Sequence, residues 1–182
     1  MRVIAGSLKG RRLKAPTWDG LRPTSDKLRE TLFNILAPHM AGAVVLDGYA
    51  GTGAVGIEAI SRGAAHVTFV EPDPRAIRLI ESNLRHCGVN DRYAIIRARF
   101  GDMTRAGDVG RLDLVFLDPP YGAAELAQAL AAAAALVGDA TRLVVEHAKR
   151  DPAPEATGGL VRTRQVVSGD SALTFYGRSV PL

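Results

Sequence analysis

Three apolar residues, Val44-Val45-Leu46, run into an acid, Asp47, and then into Gly48-Tyr49-Ala50-Gly51-Thr52-Gly53-Ala54-Val55-Gly56. A short apolar run that breaks into glycines and resumes with a helical pattern reads as strand, tight turn and helix. That unit needs a parallel neighbour, and the chain supplies several. Residues 67–70, 93–97, 114–117 and 142–146 read as further strands. Helices are predicted over 55–62, over 75–86 behind an Asp73 or Pro74 start, and over the alanine-rich stretch 123–136. Residues 165–167 and 173–176 read as a closing hairpin across Ser168-Gly169-Asp170-Ser171. The strand–helix alternation predicts a doubly wound α/β sheet with an antiparallel pair at its end. Residues 151–159, rich in Pro, Ala and Gly, read as a loop.

The N-terminus is different in kind. Residues 2–5 and 11–13 read as short strands of a β-hairpin, followed by loop residues 16–23. Thr24 or Ser25 can cap a helix over 26–37, with Leu28, Leu32, Ile35 and Leu36 on one face and Pro38 at its end. Residues 1–29 hold Arg2, Lys9, Arg11, Arg12, Lys14, Arg22, Lys27 and Arg29 against Asp19 and Asp26. That is a net +6 in a chain whose total is +4, so the remainder carries −2. The expected organisation is a basic extension, 1–37, on a body, 38–182, in one globular unit overall. The extension suits a polyanion; the plainer alternative is a solvated basic hairpin.

Several classes are excluded early. The longest near-apolar stretch, 126–137, contains Gln128 and is too short to span a bilayer. The start lacks the apolar run of a signal peptide, which points to the cytoplasm. A single cysteine, Cys87, cannot form an intramolecular disulfide and reads as a packed thiol. His39, His66, His86 and His147 have no close ligand spacing, so no metal is expected.

The strand at 114–117 ends in Asp118-Pro119-Pro120-Tyr121. Open α/β sheets bind ligands beyond the carboxyl ends of their strands. An acid or a nearby carbonyl there can accept an amine N–H. The prolines lock the turn and leave carbonyls without local partners. The tyrosine offers a face on which a base can stack.

The glycine loop has two readings. Gly51-x-Gly53-x-x-Gly56, with Glu71 twenty residues after Gly51, matches the dinucleotide fingerprint. Yet Asp47 precedes the glycines, where it would repel a pyrophosphate and attract an ammonium. A nicotinamide enzyme also leaves the Asp-Pro-Pro-Tyr turn without a role. Glu71 suits either reading, since a carboxylate there can take both ribose hydroxyls.

Arg22-Pro23-Thr24-x-Asp26-x-x-Arg29-Glu30-x-Leu32-Phe33-Asn34-x-Leu36 is followed in order by Asp47-x-x-Ala50-Gly51-Thr52-Gly53, Ser61-Arg62-Gly63-Ala64, Val70-Glu71, the Asp-Pro-Pro-Tyr turn and Gly169-Asp170-Ser171-x-Leu173. Over nearly its whole length the sequence resembles the RsmD-type bacterial 16S rRNA (guanine-N2)-methyltransferases. The Arg-Pro-Thr block is the most specific part, because Asp-Pro-Pro-Tyr also fits DNA adenine and cytosine methyltransferases. Gly48 departs from the family, which usually carries a larger apolar residue there; the change would loosen the loop and removes no contacting group.

The resemblance implies a Rossmann-like class I methyltransferase using S-adenosylmethionine. Its sheet would be mostly parallel and seven-stranded, with the terminal antiparallel hairpin and the small N-terminal hairpin and helix. Asp118, Pro119, Pro120 and Tyr121 would be catalytic. Asp47, Tyr49, Gly51, Gly53, Glu71, Pro72, Asp102 and Met103 would hold the cofactor: Glu71 the ribose, Asp102 the adenine amine, Met103 the ring. Arg2, Lys9, Arg11, Arg12, Lys14, Arg22 and Thr24 would meet the RNA. The expected partner is 16S rRNA or the small ribosomal subunit, with no membrane and a monomeric enzyme. The rival readings are a DNA adenine-N6 or cytosine-N4 methyltransferase, a nicotinamide-dependent oxidoreductase, and a non-catalytic ribosome-assembly factor.

Overall fold

A computed structural model describes residues 1–18, 25–103 and 110–178. The chain divides into two compact units, Met1–Ala98 and Arg99–Leu182.

In the first unit, β1 (Val44–Asp47), β2 (His66–Val70) and β3 (Tyr93–Ile96) pair in parallel in the order β3-β2-β1. Val45 sits opposite Val67, and Val67 opposite Tyr93. Val45, Leu46, Val67, Phe69 and Val70 are fully buried. Apolar runs without alternation are what strands covered on both faces require.

Among the described residues, three α-helices accompany them: α1 (Asp26–Leu36), α2 (Ala54–Ser61) and α3 (Pro74–Cys87). Ser25 caps α1; its hydroxyl accepts the Leu28 N–H at 3.2 Å. The chain continues as a 3-10 turn, Ala37–His39, that contains Pro38. Asp73 caps α3 by accepting the Arg75 N–H at 2.8 Å, with Pro74 in the first turn. All eight residues of α2 are buried.

The N-terminal hairpin is slighter than its sequence suggests. Its ladder reduces to one isolated bridge, Arg2 to Arg12. The reason lies in where the amides go: Ile4 and Ala5 donate to the Glu58 carboxylate at 2.7 and 3.0 Å, not to a facing strand.

In the second unit, β4 (Leu114–Leu117) lies parallel to β5 (Arg142–Ala148). Antiparallel partners follow in the order β5-β8-β7-β6, with β8 (Ser171–Arg178), β7 (Leu160–Ser168) and β6 (Ala156–Thr157). Among the described residues of this unit there are also one α-helix, α4 (Ala123–Leu136), and one 3-10 turn, Phe100–Asp102. The described strands number eight, one more than expected, and the fold is that of Rossmann-like methyltransferases. The extra strand is β6, which falls inside the stretch read as a loop. That stretch is pinned: Ala153 is buried and the Pro154 carbonyl accepts the Tyr176 hydroxyl at 2.7 Å. The closing hairpin is also longer, because a bulge between Arg162 and Arg164 lets β7 follow β8 to its end.

Among the described residues, no helix is long and apolar enough to cross a membrane, and no cluster of His, Cys, Asp or Glu could hold a metal ion.

Candidate functional site

The glycine loop joins β1 to α2. Gly51 and Gly53 both take positive φ, 52° and 78°, which lets the loop fold back on itself. Gly56 serves packing: a Cβ there would come within 2.2 Å of the Phe69 ring on β2. The destinations of the three glycine amides decide what the loop can bind. Gly51 N–H donates to Glu71 Oε2 at 2.9 Å. Gly53 N–H donates to the Ala50 carbonyl at 2.7 Å. Gly56 N–H donates to Asp47 Oδ2 at 3.1 Å. A pyrophosphate site needs such amides directed at the anion. Here each is engaged internally, two of them by carboxylates.

Both carboxylates are buried. Asp47 is 1% exposed and Glu71 7%. Glu71 also accepts the Asp73 N–H at 2.9 Å through its other oxygen. Burial pushes the Asp47 carboxyl from 3.8 to about 7; the Gly56 amide opposes the rise and the Glu71 charge adds to it. An acid held half-neutral by burial is one that a cationic ligand would ionise. Tyr49, half-buried, has its hydroxyl pKa raised by burial, and Pro72 is exposed beside Glu71. The first unit thus gathers Asp47, Gly51, Gly53 and Glu71 around one loop. The donor set fits a ligand with an ammonium and a ribose diol better than it fits a diphosphate.

The remaining cofactor candidates lie in the second unit. Asp102 closes the 3-10 turn and is exposed; Met103, next in sequence, is buried. The Asp-Pro-Pro-Tyr turn leaves the end of β4. Asp118 is half-buried, Pro119 buried, and Pro120 exposed. Tyr121 is 38% exposed, and its hydroxyl lies 3.0 Å from the Ser171 hydroxyl at the start of β8. Pro119, Pro120, Tyr121, Leu126 and His147 line a small recess. His147 is buried, with Nε2 2.9 Å from the Thr174 hydroxyl and Nδ1 3.0 Å from the Ala148 carbonyl.

In the basic extension, Arg2, Lys9, Arg11, Arg12 and Lys14 are all exposed. Arg22 and Thr24 lie outside the described residues. The backbone beneath these cations is held by buried groups that sequence reasoning misses. Glu58 on α2, fully buried, takes the Ile4 and Ala5 amides and pairs with Arg62 Nε at 2.7 Å. Ser61 accepts the Leu8 N–H at 2.9 Å. Arg29, fully buried, donates to the Arg2 carbonyl and to Asp26. Burial lowers the Arg29 pKa, while Asp26 and Glu58 support its charge. Asn83 on α3 accepts the Lys14 N–H at 2.8 Å. One signal could have exposed Glu58: a charged residue inside the apolar segment Ala54-Val55-Gly56-Ile57-Glu58-Ala59-Ile60 must be paired or capped. Cys87 is buried, and burial raises its thiol pKa, as a packed and unreactive cysteine should behave.

Comparison with known proteins places the chain. The family model described as conserved hypothetical protein 95 matches residues 1–177. The chain belongs to this family, that of the RsmD-type methyltransferases. It is 37% identical to the YlbH protein of Bacillus subtilis (strain 168) over 184 residues, covering 97% of this chain and 98% of that one. It is 33% identical to the ribosomal RNA small subunit methyltransferase D of Escherichia coli (strain K12) over 180 residues, 98% of this chain and 90% of the relative. The solved Escherichia coli protein yhhF superposes with a TM-score of 0.83 at 32% identity, covering 98% of this chain and 97% of that one.

Proposed function

We propose that this protein transfers a methyl group from S-adenosylmethionine to the exocyclic N2 of a guanine in 16S rRNA of the small ribosomal subunit. The observation that carries the reading is the acidic glycine loop: its glycine amides are taken internally, and Asp47 and Glu71 line it. That arrangement favours a cationic cofactor over a dinucleotide. Family membership supports methyl transfer to rRNA. An exocyclic amine as the acceptor rests on the Asp-Pro-Pro-Tyr turn; guanine N2 rests on the resemblance whose most specific part is the Arg22-Pro23-Thr24 block.

When bound, S-adenosylmethionine supplies a methyl group made electrophilic by a sulfonium. The chain's own residues have separate tasks. Asp47 meets the ammonium of the methionine moiety, Glu71 takes the ribose hydroxyls, and Tyr49, Pro72, Asp102 and Met103 enclose the remainder. Asp118 and the Pro119 carbonyl accept N–H bonds from the guanine amine. An aryl-like amine is a weak nucleophile because its lone pair is delocalised into the ring. Accepting its N–H hydrogen bonds favours a pyramidal nitrogen and stabilises the positive charge that would build there as the methyl is transferred, with S-adenosylhomocysteine the leaving group. Tyr121 stacks on the base, an interaction worth about 1–3 kcal/mol. The guanine must leave its own stack or loop to be held this way. Residues 1–37 act as the RNA-binding extension on the body 38–182. The enzyme works as a monomer, in the cytoplasm where its substrate is made.

The test is methylation with labelled S-adenosylmethionine of deproteinised 16S rRNA, whole small subunits and duplex DNA, followed by nucleoside analysis. The expected product is N2-methylguanosine from rRNA or subunits. Label only in DNA, or no label alongside stabilisation by NAD, would overturn the assignment.

A further inference from the structure

The α3 helix buries Ala76, Leu79, Ile80, Leu84 and Cys87, and in the same stripe it buries Asn83 completely. A buried amide amid apolar neighbours is costly unless its polar atoms are met. Those of Asn83 are met from two directions. Oδ1 accepts the Lys14 N–H at 2.8 Å. Nδ2 donates to the Lys14 carbonyl at 3.3 Å and to the Thr52 carbonyl at 3.0 Å. Both amide donors are therefore used. Lys14 ends the basic extension's hairpin; Thr52 stands between Gly51 and Gly53. One side chain thus clamps the extension and the glycine loop together.

Other interactions converge on the same turn. The Thr52 hydroxyl lies 3.8 Å from Met1 Sδ, and the Leu13 N–H donates to the Met1 carbonyl at 3.2 Å. Both ends of the hairpin thus meet around Thr52. Ile80, one turn before Asn83, packs against the loop; its side-chain carbons would be 3.3 Å from a Cβ on Gly53. Lys14 keeps its ammonium at the surface, on the Ser82 hydroxyl at 2.8 Å.

We propose that Asn83 is a positioning residue that couples the two ligands: order imposed on the glycine loop by the cofactor is passed to the basic extension, and RNA held by the extension orders the loop. The inference rests on the function proposed above. A ligand that fixes the Thr52 carbonyl lowers the cost of ordering Lys14 through the shared amide, and the reverse must hold to the same degree, because coupling between equilibrium binding sites is reciprocal.

The experiment measures rRNA-fragment affinity with and without saturating S-adenosylhomocysteine in the full-length protein. The ratio of the two affinities reads the coupling. Wild type should bind RNA roughly five-fold or more tightly with the ligand, the low end of ordinary coupling. Asn83→Ala should bring the ratio below about two, while each ligand alone still binds. Asn83→Asp retains the acceptor for Lys14 N–H but turns an oxygen toward two carbonyls. It should lose the coupling as well, and it stands in if the alanine variant folds poorly. Leu84→Ala, a fully buried neighbour on the same helix, should lower the melting temperature and leave the ratio intact. A wild-type ratio of one, an unchanged ratio in both Asn83 variants, or equal loss in Leu84→Ala would overturn the inference. If wild type binds neither ligand, the functional reading fails first; if it binds both independently, only the coupling fails.

Discussion

Replacing Asp47 by Asn should flatten the dependence of stability on pH and remove a proton from cofactor binding. Asp47 is 1% exposed, and burial raises its carboxyl from 3.8 to about 7. A gap of about three units corresponds to roughly 4 kcal/mol against the ionised folded form, as an order of magnitude. The sign follows from proton counts. Unfolded, the acid loses its proton near pH 4; folded, it holds it until about pH 7. Between those values the folded state carries the extra proton, so stability falls as pH rises, and the loss is complete above the folded value. Asn does not titrate, and its side-chain oxygen can still accept the Gly56 N–H. Wild type should therefore lose more melting temperature than Asp47→Asn between pH 5 and 8. Across that interval about 2.6 of the roughly 4 kcal/mol is lost; at roughly 2–4 °C per kcal/mol for a chain of this size, the difference should be about 5–10 °C.

Ligand binding adds a second readout. An ammonium beside Asp47 would lower its pKa, so S-adenosylhomocysteine should release a fraction of a proton at pH 7. Titration calorimetry in two buffers of different ionisation enthalpy measures that release. The Asn variant should show none from this site and should bind about ten-fold more weakly, the effect expected of one charge-assisted hydrogen bond. Parallel melting curves for the two proteins across pH 5–8, with identical proton release, would refute both the shift and the ammonium pairing.

Four other outcomes are expected. Asp118→Ala should lower kcat at least about a hundred-fold, as removal of one preorganised hydrogen bond does, and leave S-adenosylhomocysteine affinity within about threefold; near-normal turnover would remove its role. Glu71→Ala strands the Gly51 and Asp73 amides, so isothermal titration should show cofactor affinity falling on the order of ten-fold together with a lower melting temperature. Tyr121→Phe and Ser171→Ala break the same 3.0 Å hydrogen bond, so in a double-mutant cycle on KM for RNA the second change should add almost nothing to the first. Alanine at Arg11, Arg12 and Lys14 together should flatten the salt dependence of RNA binding by about one unit of log K per log salt for each phosphate no longer neutralised; an unchanged slope would move the RNA surface elsewhere.

The strands of the parallel sheet were legible because each is a short apolar run with no polar face to conceal it, as Val44-Val45-Leu46 and Leu114-Val115-Phe116-Leu117 show. The helix starts were legible where a cap and a proline coincide, as at Asp73-Pro74. Less regular features were not. The first half of β7 holds Arg162 and Arg164, and the bulge between them breaks the alternation that marks a half-buried strand. The N-terminal hairpin looked like a ladder because its residues have strand propensity. The Ile4 and Ala5 amides instead answer to Glu58, 54 and 53 residues away. Long-range polar pairing of that kind leaves no periodic trace. Asn83 left only a faint one, a polar residue at the spacing of Leu79 and Ile80. Asp47, Glu71 and Asp118 stand out in the sequence as candidates because they follow apolar strands, where an acid has no packing reason to be.

The glycine fingerprint illustrates how a spacing and a ligand class can part company. Gly51, Gly53 and Gly56 are fixed here by backbone geometry and by packing against Phe69. Those demands are the same whether the ligand is a dinucleotide or a sulfonium, so the spacing cannot separate them. What separates them is the fate of the amides. In a diphosphate site the loop turns its N–H groups outward and supplies positive potential. In this loop Asp47 and Glu71 take two of the three amides and replace that potential with negative charge. Of the three glycine amides, removing the Glu71 carboxylate would free only that of Gly51, since Gly53 remains on Ala50 and Gly56 on Asp47. A single substitution should therefore weaken the cofactor without conferring affinity for NAD. The discriminating residues are the acids at the ends of β1 and β2, one before the glycines and one well after them.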